Sequence, residues 1–404
     1  MERRNIETVP TRRRIISSVE VPVAEEPTSD QRTLVRRSIA TPARRHIGDS
    51  GNVDEKLLVA PYPYFGGKSG VANEIWSRLD PKTLDCYIEP CMGSAATYLV
   101  RPQPWVGREV LNDYDALLVN AWRAISRHPD EVAEICNGIM LAEMELHAIH
   151  SHLTRSRDRM RKLVGGSTDF CDVKLGAWWL WGICMKLGGG FCSGDGPWYV
   201  INDELVCLEK DDPRRDGNGI TCSVPCVGNR GVLRQELDYL KSWMRALSYR
   251  MRQTLVLSGD WSRAVTPAFT GTGKIGIMFD PPYGADANFN GTLYTNQDAD
   301  ISTKIKEWCI QHTDPAWCRA NKDTNIYRIA YCGYTPEGDI LEQNGWAVHA
   351  WTAAGGYGNQ GQDGANKKVE KGGQFLRGNA GRERVWFSPA CGSGSDIWLR
   401  FGKK

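Results

Sequence analysis

The segment Phe279-Asp280-Pro281-Pro282-Tyr283-Gly284, set directly after the apolar run Ile275-Gly276-Ile277-Met278, constrains this chain more than any other stretch. A run of β-branched and large apolar residues, entered at Gly273 and stopped by Pro281, fits a buried parallel strand. Open α/β sheets place their chemistry at the carboxyl ends of such strands. Two successive prolines remove two backbone donors, which leaves the Asp280 carboxylate and the Pro281 carbonyl as acceptors facing a cleft. Acceptors beside the flat ring of Tyr283 suit a planar base carrying an exocyclic amine: they accept its N–H groups while the ring stacks on its face. Taken alone, the segment also reads as an ordinary proline-rich turn after a strand.

Other stretches complete a site. Tyr87-Ile88-Glu89-Pro90-Cys91-Met92-Gly93-Ser94 reads as a short apolar strand, an acid, and a small-residue loop that opens a helix and lets a ligand approach the backbone. Beyond it, a second apolar stretch ends in Leu111-Asn112-Asp113-Tyr114-Asp115. The interval from Gly93 to Asp113 is the one at which Rossmann-like folds put the carboxylate that binds ribose hydroxyls. Asp113 is the ribose candidate, with a core turn and a surface Asp as the alternative. Upstream, Pro61-Tyr62-Pro63-Tyr64-Phe65-Gly66-Gly67-Lys68-Ser69 ends like a phosphate loop, but Tyr62 stands where that motif needs its first glycine, so a triphosphate site is a poor reading. Lys68 on a glycine turn suits a ligand carboxylate instead, and Tyr64 suits a flat or sulfonium-bearing group.

In this order the motifs resemble those of the Dam-type DNA adenine methyltransferases, over roughly residues 58–400 with the middle third weakest. Ser258-Gly259-Asp260-Trp261 resembles the family's acid before the catalytic strand. Asn325 to Tyr334 resembles its next strand, and Arg382 to Ser388 its last. The loop departs from the family pattern at Cys91, usually aromatic, and at Ala95, usually glycine. The resemblance implies an α/β, Rossmann-like methyltransferase sheet with an inserted, mainly helical target-recognition region, and S-adenosylmethionine as cofactor. By family position Lys68 meets the methionine carboxylate, Tyr64 packs near the cofactor, Asp113 accepts the ribose hydroxyls and Asp260 accepts from the cofactor adenine. Glu89 faces the methionine ammonium or orders the loop, and Gly93 is the loop's retained glycine. Asp280, Pro281, Pro282 and Tyr283 form the catalytic set, with Asp280 also against the cofactor. The implied reaction is in-line methyl transfer to the exocyclic N6 of a flipped adenine, with no covalent enzyme intermediate. The resemblance implies that Asp at position 280 goes with adenine, whereas Ser is usual for cytosine amines. Methylation of a cytosine amine or of RNA, and a noncatalytic DNA-binding role on the same scaffold, are the alternatives.

The interval between the helix after Asp113 and the strand at Thr254 holds the expected insert. It opens with a basic run, His147, His150, His152, Arg155, Arg157, Arg159, Arg161 and Lys162, that suits DNA phosphates or a solvated helix face. Arg155, Arg159 and Lys162, with Arg230, Lys367 and Lys368 from polar and glycine-rich stretches, are the DNA-binding candidates. Leu175 to Met185 reads as a buried helix whose tryptophans are mostly core. Gly188 to Gly194 resembles the position of a turn beside the DNA, and the Gly355–Gly381 stretch reads as a mobile loop that orders on DNA.

Residues 1–50 hold ten Arg, no Lys, seven acids and no Phe, Tyr or Trp, so they cannot bury a core and are expected to be a disordered tail. The expected organisation is that tail over 1–55, a cofactor-binding part over 56–140, the target-recognition insert over 141–250 and a catalytic part over 251–404. Net charge is only +2, so attraction to double-stranded DNA must come from local patches. No stretch reads as a signal peptide or membrane span, which points to a cytoplasmic protein, expected to be monomeric, with reduced thiols. No metal is expected; Cys222 and Cys226 could form half a site, with Cys207 or Cys192 completing it.

Overall fold

A computed structural model describes residues 54–64, 67–167, 169–186, 191–192, 196–202, 204–217, 219–220, 231–282, 300–351 and 382–393. Its strands are β1 (Cys86–Glu89), β2 (Arg108–Asp113), β3 (Trp198–Ile201), β4 (Glu204–Cys207), β5 (Leu255–Ser258), β6 (Lys274–Phe279), β7 (Ile326–Tyr334), β8 (Ala347–Ala350) and β9 (Glu383–Phe387). The helices begin with α1 (Ala72–Leu79), α2 (Ala96–Leu99), α3 (Ala116–Arg127), α4 (Pro129–Gly138), α5 (Glu143–Gly166) and α6 (Val173–Met185). They continue with α7 (Leu237–Met251), α8 (Pro267–Thr270), α9 (Ile301–Thr313), α10 (Pro315–Asn321) and α11 (Asp339–Gln343).

Seven strands form one sheet in the order β5-β2-β1-β6-β7-β9-β8. The first five run parallel, and β9 runs antiparallel between β7 and β8. The chain lays β2 and β5 on one side of β1, then crosses back to add β6 and β7 on the other. This places a topological switch point between β1 and β6, where open α/β sheets hold ligands outside the carboxyl ends of the strands. The fold is α/β and compatible with a Rossmann-like sheet.

Alternation along the strands sends side chains to two cores. Tyr87, Leu111 and Met278 face one, and Cys86, Ile88, Val110, Ile275, Ile277 and Phe279 face the other. On the first side α1 buries Ile75, Trp76 and Leu79, and α3 is buried along nearly its whole length. Helix α3 starts where the Asp115 side chain accepts the Leu117 N–H at 2.9 Å, and α6 starts where Asp172 accepts the Leu175 N–H at 3.0 Å. A Cβ at Gly176 would lie 2.8 Å from that of Ala124, so the glycine lets α6 close on α3. Helices α5 and α6, in the stretch expected as an insert, therefore share the α3 core. Trp179 and Trp181 are buried and Trp178 partly exposed. Strands β3 and β4 form a separate antiparallel hairpin.

Among the described residues no helix is long and apolar enough to cross a membrane. The arginine-rich tail, Cys222, Cys226 and the Gly355–Gly381 stretch lie outside the described residues.

Candidate functional site

Glu89 ends β1, Asp113 ends β2, Asp260 follows β5 and Asp280 follows β6, so four parallel strands deliver four carboxylates to one edge of the sheet. A cleft of about 840 Å³ opens there. Its lining includes Tyr64, Lys68, Glu89, Gly93, Asp113, Asp260 and Asp280, all seven of the residues singled out for a cofactor, together with Pro282 from the catalytic set. Pro281 is buried beside it. Tyr283 lies outside the described residues, as do Arg230, Lys367 and Lys368.

The loop after β1 is held from both sides. Gly93 has φ +45°, and a Cβ there would sit 2.5 Å from the Tyr64 ring, so the aromatic closes directly over the backbone. The Gly93 N–H donates to Asp113 Oδ2 at 3.0 Å, while the Gly93 carbonyl accepts from the Tyr62 hydroxyl at 2.9 Å. Trp122 Nε1–H donates in turn to that hydroxyl at 2.7 Å. Ala95, where the family usually has glycine, adopts φ +52°, the left-handed region. Asn112 stitches two loops together: its amide donates to the Pro90 carbonyl at 2.8 Å and to the Gly259 carbonyl at 3.0 Å.

Lys68 is fully buried and its Nζ lies 2.8 Å from Asp280 Oδ1. Burial alone would discharge the ammonium, but the carboxylates of Asp280 and Glu383 beside it reverse that effect and hold its pKa above the ordinary lysine value. The sequence resemblance directs Lys68 to a cofactor carboxylate; in this structure it pairs with Asp280, the candidate catalytic acid. Glu89 is also buried. Desolvation pushes its pKa up to about 8, against the opposing effect of the Tyr87 hydroxyl, which donates to Oε1 at 2.7 Å. Burial likewise raises Asp113 to about 6, opposed by the N–H groups of Asp115 and Gly93. Asp260 is exposed and accepts from the Ser262 N–H and hydroxyl at 3.0 and 2.5 Å.

Five acidic side chains line the cleft, those of Glu89, Asp113, Asp115, Asp260 and Asp280, against the single ammonium of Lys68. Such a lining suits a ligand with cationic and hydroxyl groups. Apolar surface comes from Met278, Trp261 and Ile301, with Trp261 packed edge-on against Phe279 at 5.8 Å. Tyr62, Asn112 and Glu383 had no assigned role from sequence. The first two lie inside motifs already singled out, whereas nothing in the spacing links Glu383 to Lys68.

The basic run needs one correction. His147 and His150 are buried at 3 % and 2 % exposure, and the His150 ring nitrogen Nε2 lies 3.1 Å from the Gly219 carbonyl, so neither can meet a phosphate. Both sit on the inward stripe of α5, which charge alone did not reveal. Arg155, Arg159 and Lys162 are exposed on α5.

No known family's sequence model matches this chain, and no curated protein matches it.

Proposed function

We propose that the protein is an S-adenosylmethionine-dependent DNA methyltransferase that methylates the exocyclic N6 of a flipped adenine in double-stranded DNA, acting as a monomer. The observation that carries this reading is the convergence of Tyr64, Lys68, Glu89, Gly93, Asp113, Asp260 and Asp280, from widely separated stretches, on one cleft at the switch point of the sheet. The donor set fits the cofactor. A lining rich in carboxylates favours its ammonium and sulfonium, Asp113 stands at the strand end suited to ribose hydroxyls, and the missing Cβ of Gly93 lets Tyr64 close over the loop.

When bound, the cofactor supplies an activated methyl group on a sulfonium. The rest of the chemistry belongs to the chain. The amine of adenine is a poor nucleophile because its lone pair is delocalised into the ring. In our reading Asp280 and the Pro281 carbonyl accept the two N–H groups, which favours a tetrahedral nitrogen with its lone pair available. Lys68, 2.8 Å from Asp280, fixes the carboxylate in direction, so that it acts as an acceptor. Tyr283 would stack on the flipped base. Helices α5 and α6 supply the target-recognition surface.

Calorimetric titration tests the cofactor half. The wild type should bind S-adenosylmethionine, and Asp113→Ala should weaken binding by about tenfold or more, the loss of a charge-assisted hydrogen bond. Binding of a nicotinamide dinucleotide in preference to S-adenosylmethionine would overturn the reading in favour of another Rossmann-like activity.

A further inference from the structure

A methyltransferase whose reactive cleft is lined by five acidic side chains and one lysine offers no attraction of its own to the polyanion it must bind. Attraction for DNA has to be supplied elsewhere on the molecule. Resting on the functional reading above, we propose that a second cleft, between α5 and α6, is an anchor for a phosphate group of the DNA backbone.

This cleft has a volume of about 520 Å³ and presents His152 and Arg159 from α5 and Lys174 and Trp178 from α6 over an apolar floor. Its charge is the reverse of the first. The one carboxylate in its lining, Asp172, is engaged in capping α6 through the Leu175 N–H. Neither Arg159 nor Lys174 makes an ion pair among the described residues. The Lys174 ammonium is held 4.6 Å from the centre of the Trp178 ring, and His152 meets the same ring edge-on at 5.3 Å. An aromatic face orients an ammonium without forming an ion pair with it, so the lysine is positioned for an anion. An acidic partner would have cancelled its charge. The Arg159 guanidinium adds a planar fork suited to phosphate oxygens.

Helix α5 links the two clefts. Arg159 lines the second, while Arg161 lies with its guanidinium 5.0 Å from the centre of the Tyr114 ring, and Tyr114 lines the first. Arg155 and Lys162, at i−4 and i+3 from Arg159, continue the exposed basic side of the helix. The chemistry is that of a phosphate group, whether part of a DNA strand or free, and the experiment separates these sources.

Binding of a fluorescent duplex is measured by anisotropy across a salt series for the wild type, the Arg159→Ala/Lys174→Ala double variant and Arg319→Ala, an exposed cation of α10 outside the cleft. Cofactor binding is measured in parallel by calorimetry. Both cleft residues are exposed, so the double variant should fold. We expect it to bind every duplex sequence about tenfold more weakly, with the slope of log K against log salt shallower by about 1, and to bind cofactor normally. Arg319→Ala should match the wild type. Equal affinity and slope in the double variant would overturn the anchor, as would a wild type that binds no duplex. Inorganic phosphate bound by the wild type and lost in the double variant, with duplex affinity unchanged, would overturn the DNA source in favour of free phosphate. A failure of the methyltransferase reading shows separately, as an absent cofactor signal in all three proteins, and leaves the salt comparison to decide the anchor.

Discussion

An ammonium buried at Lys68 against Asp280 makes each residue depend on the other. Asp280→Ala should reduce methyl transfer by about a thousandfold or more, the scale on which loss of a preorganised electrostatic group is felt. It also removes the carboxylate that pairs with the buried Lys68, at a cost of about 3 kcal/mol in stability. Asp280→Asn retains a side-chain oxygen for Lys68 and should fold more stably than the alanine variant while remaining nearly inactive, which denaturant melts and rate measurements can check together. Glu89 carries the pH dependence. Its pKa of about 8 in the folded protein lies above the ordinary glutamate value of about 4.3, so between these limits the native state holds a proton that the unfolded chain has lost. The stability from this group is fully present below about pH 4 and drains away as the pH rises through about 8. Wild-type urea midpoints should therefore fall between pH 6 and pH 8.5, by an amount on the order of 2 kcal/mol, and Glu89→Gln should flatten the trend. An unchanged slope in the variant would place the titration elsewhere. A cation bound beside Glu89 would lower its pKa, so cofactor binding near neutral pH should release protons and tighten towards pH 8.

At the scale of elements, the site is a set of strand ends tied together by loops. Asn112 at the end of β2 joins the loops after β1 and β5, and both of its bonds are to backbone carbonyls. Asn112→Ala should cost about 2–3 kcal/mol, since the buried Pro90 carbonyl and the partly buried Gly259 carbonyl lose their donor, and should weaken cofactor binding through loop disorder. A variant as stable as the wild type would show that the loops hold without it. Ala95 opens α2 at φ +52°, a conformation that costs a residue with a Cβ about 1 kcal/mol, so Ala95→Gly should leave stability unchanged or raise it by up to about that amount. The central strands were legible because they are apolar runs: Ile275 to Phe279, Tyr87 and Ile88, and Ile329 to Tyr331 are buried on both faces of the sheet. The edge strand β8 was not, because Ala347, Val348 and Ala350 are exposed and carry no such run. The β3–β4 hairpin was missed although Trp198 to Ile201 is an apolar run; of its strand residues only Tyr199 is buried. Strand order and the pairing of Lys68 with Asp280 depend on which strands lie side by side, and spacing along a chain does not determine that.

On the scale of the whole molecule, the two clefts differ in the charge of their linings. The acid-lined cleft at the sheet's switch point suits a cationic cofactor and a neutral base, and the cation-lined cleft between α5 and α6 suits a phosphate. A near-zero net charge is compatible with DNA binding only if the cations are grouped in this way. Ligand binding to the first cleft bridges the ends of β1, β2, β5 and β6, so S-adenosylmethionine at about a hundredfold excess over its dissociation constant should add about 2.7 kcal/mol and raise the melting temperature by several degrees. No shift with a cofactor shown to bind would mean that it also binds the unfolded chain. The central claim is tested most directly by incubating the protein with duplex DNA and S-adenosylmethionine labelled in its methyl group, then digesting the DNA to nucleosides, with Asp280→Ala in parallel. We expect label in N6-methyladenine from the wild type and none from the variant. Label on cytosine, or equal label from both proteins, would contradict it, as would DNA left unlabelled by a wild type that binds both the cofactor and the duplex.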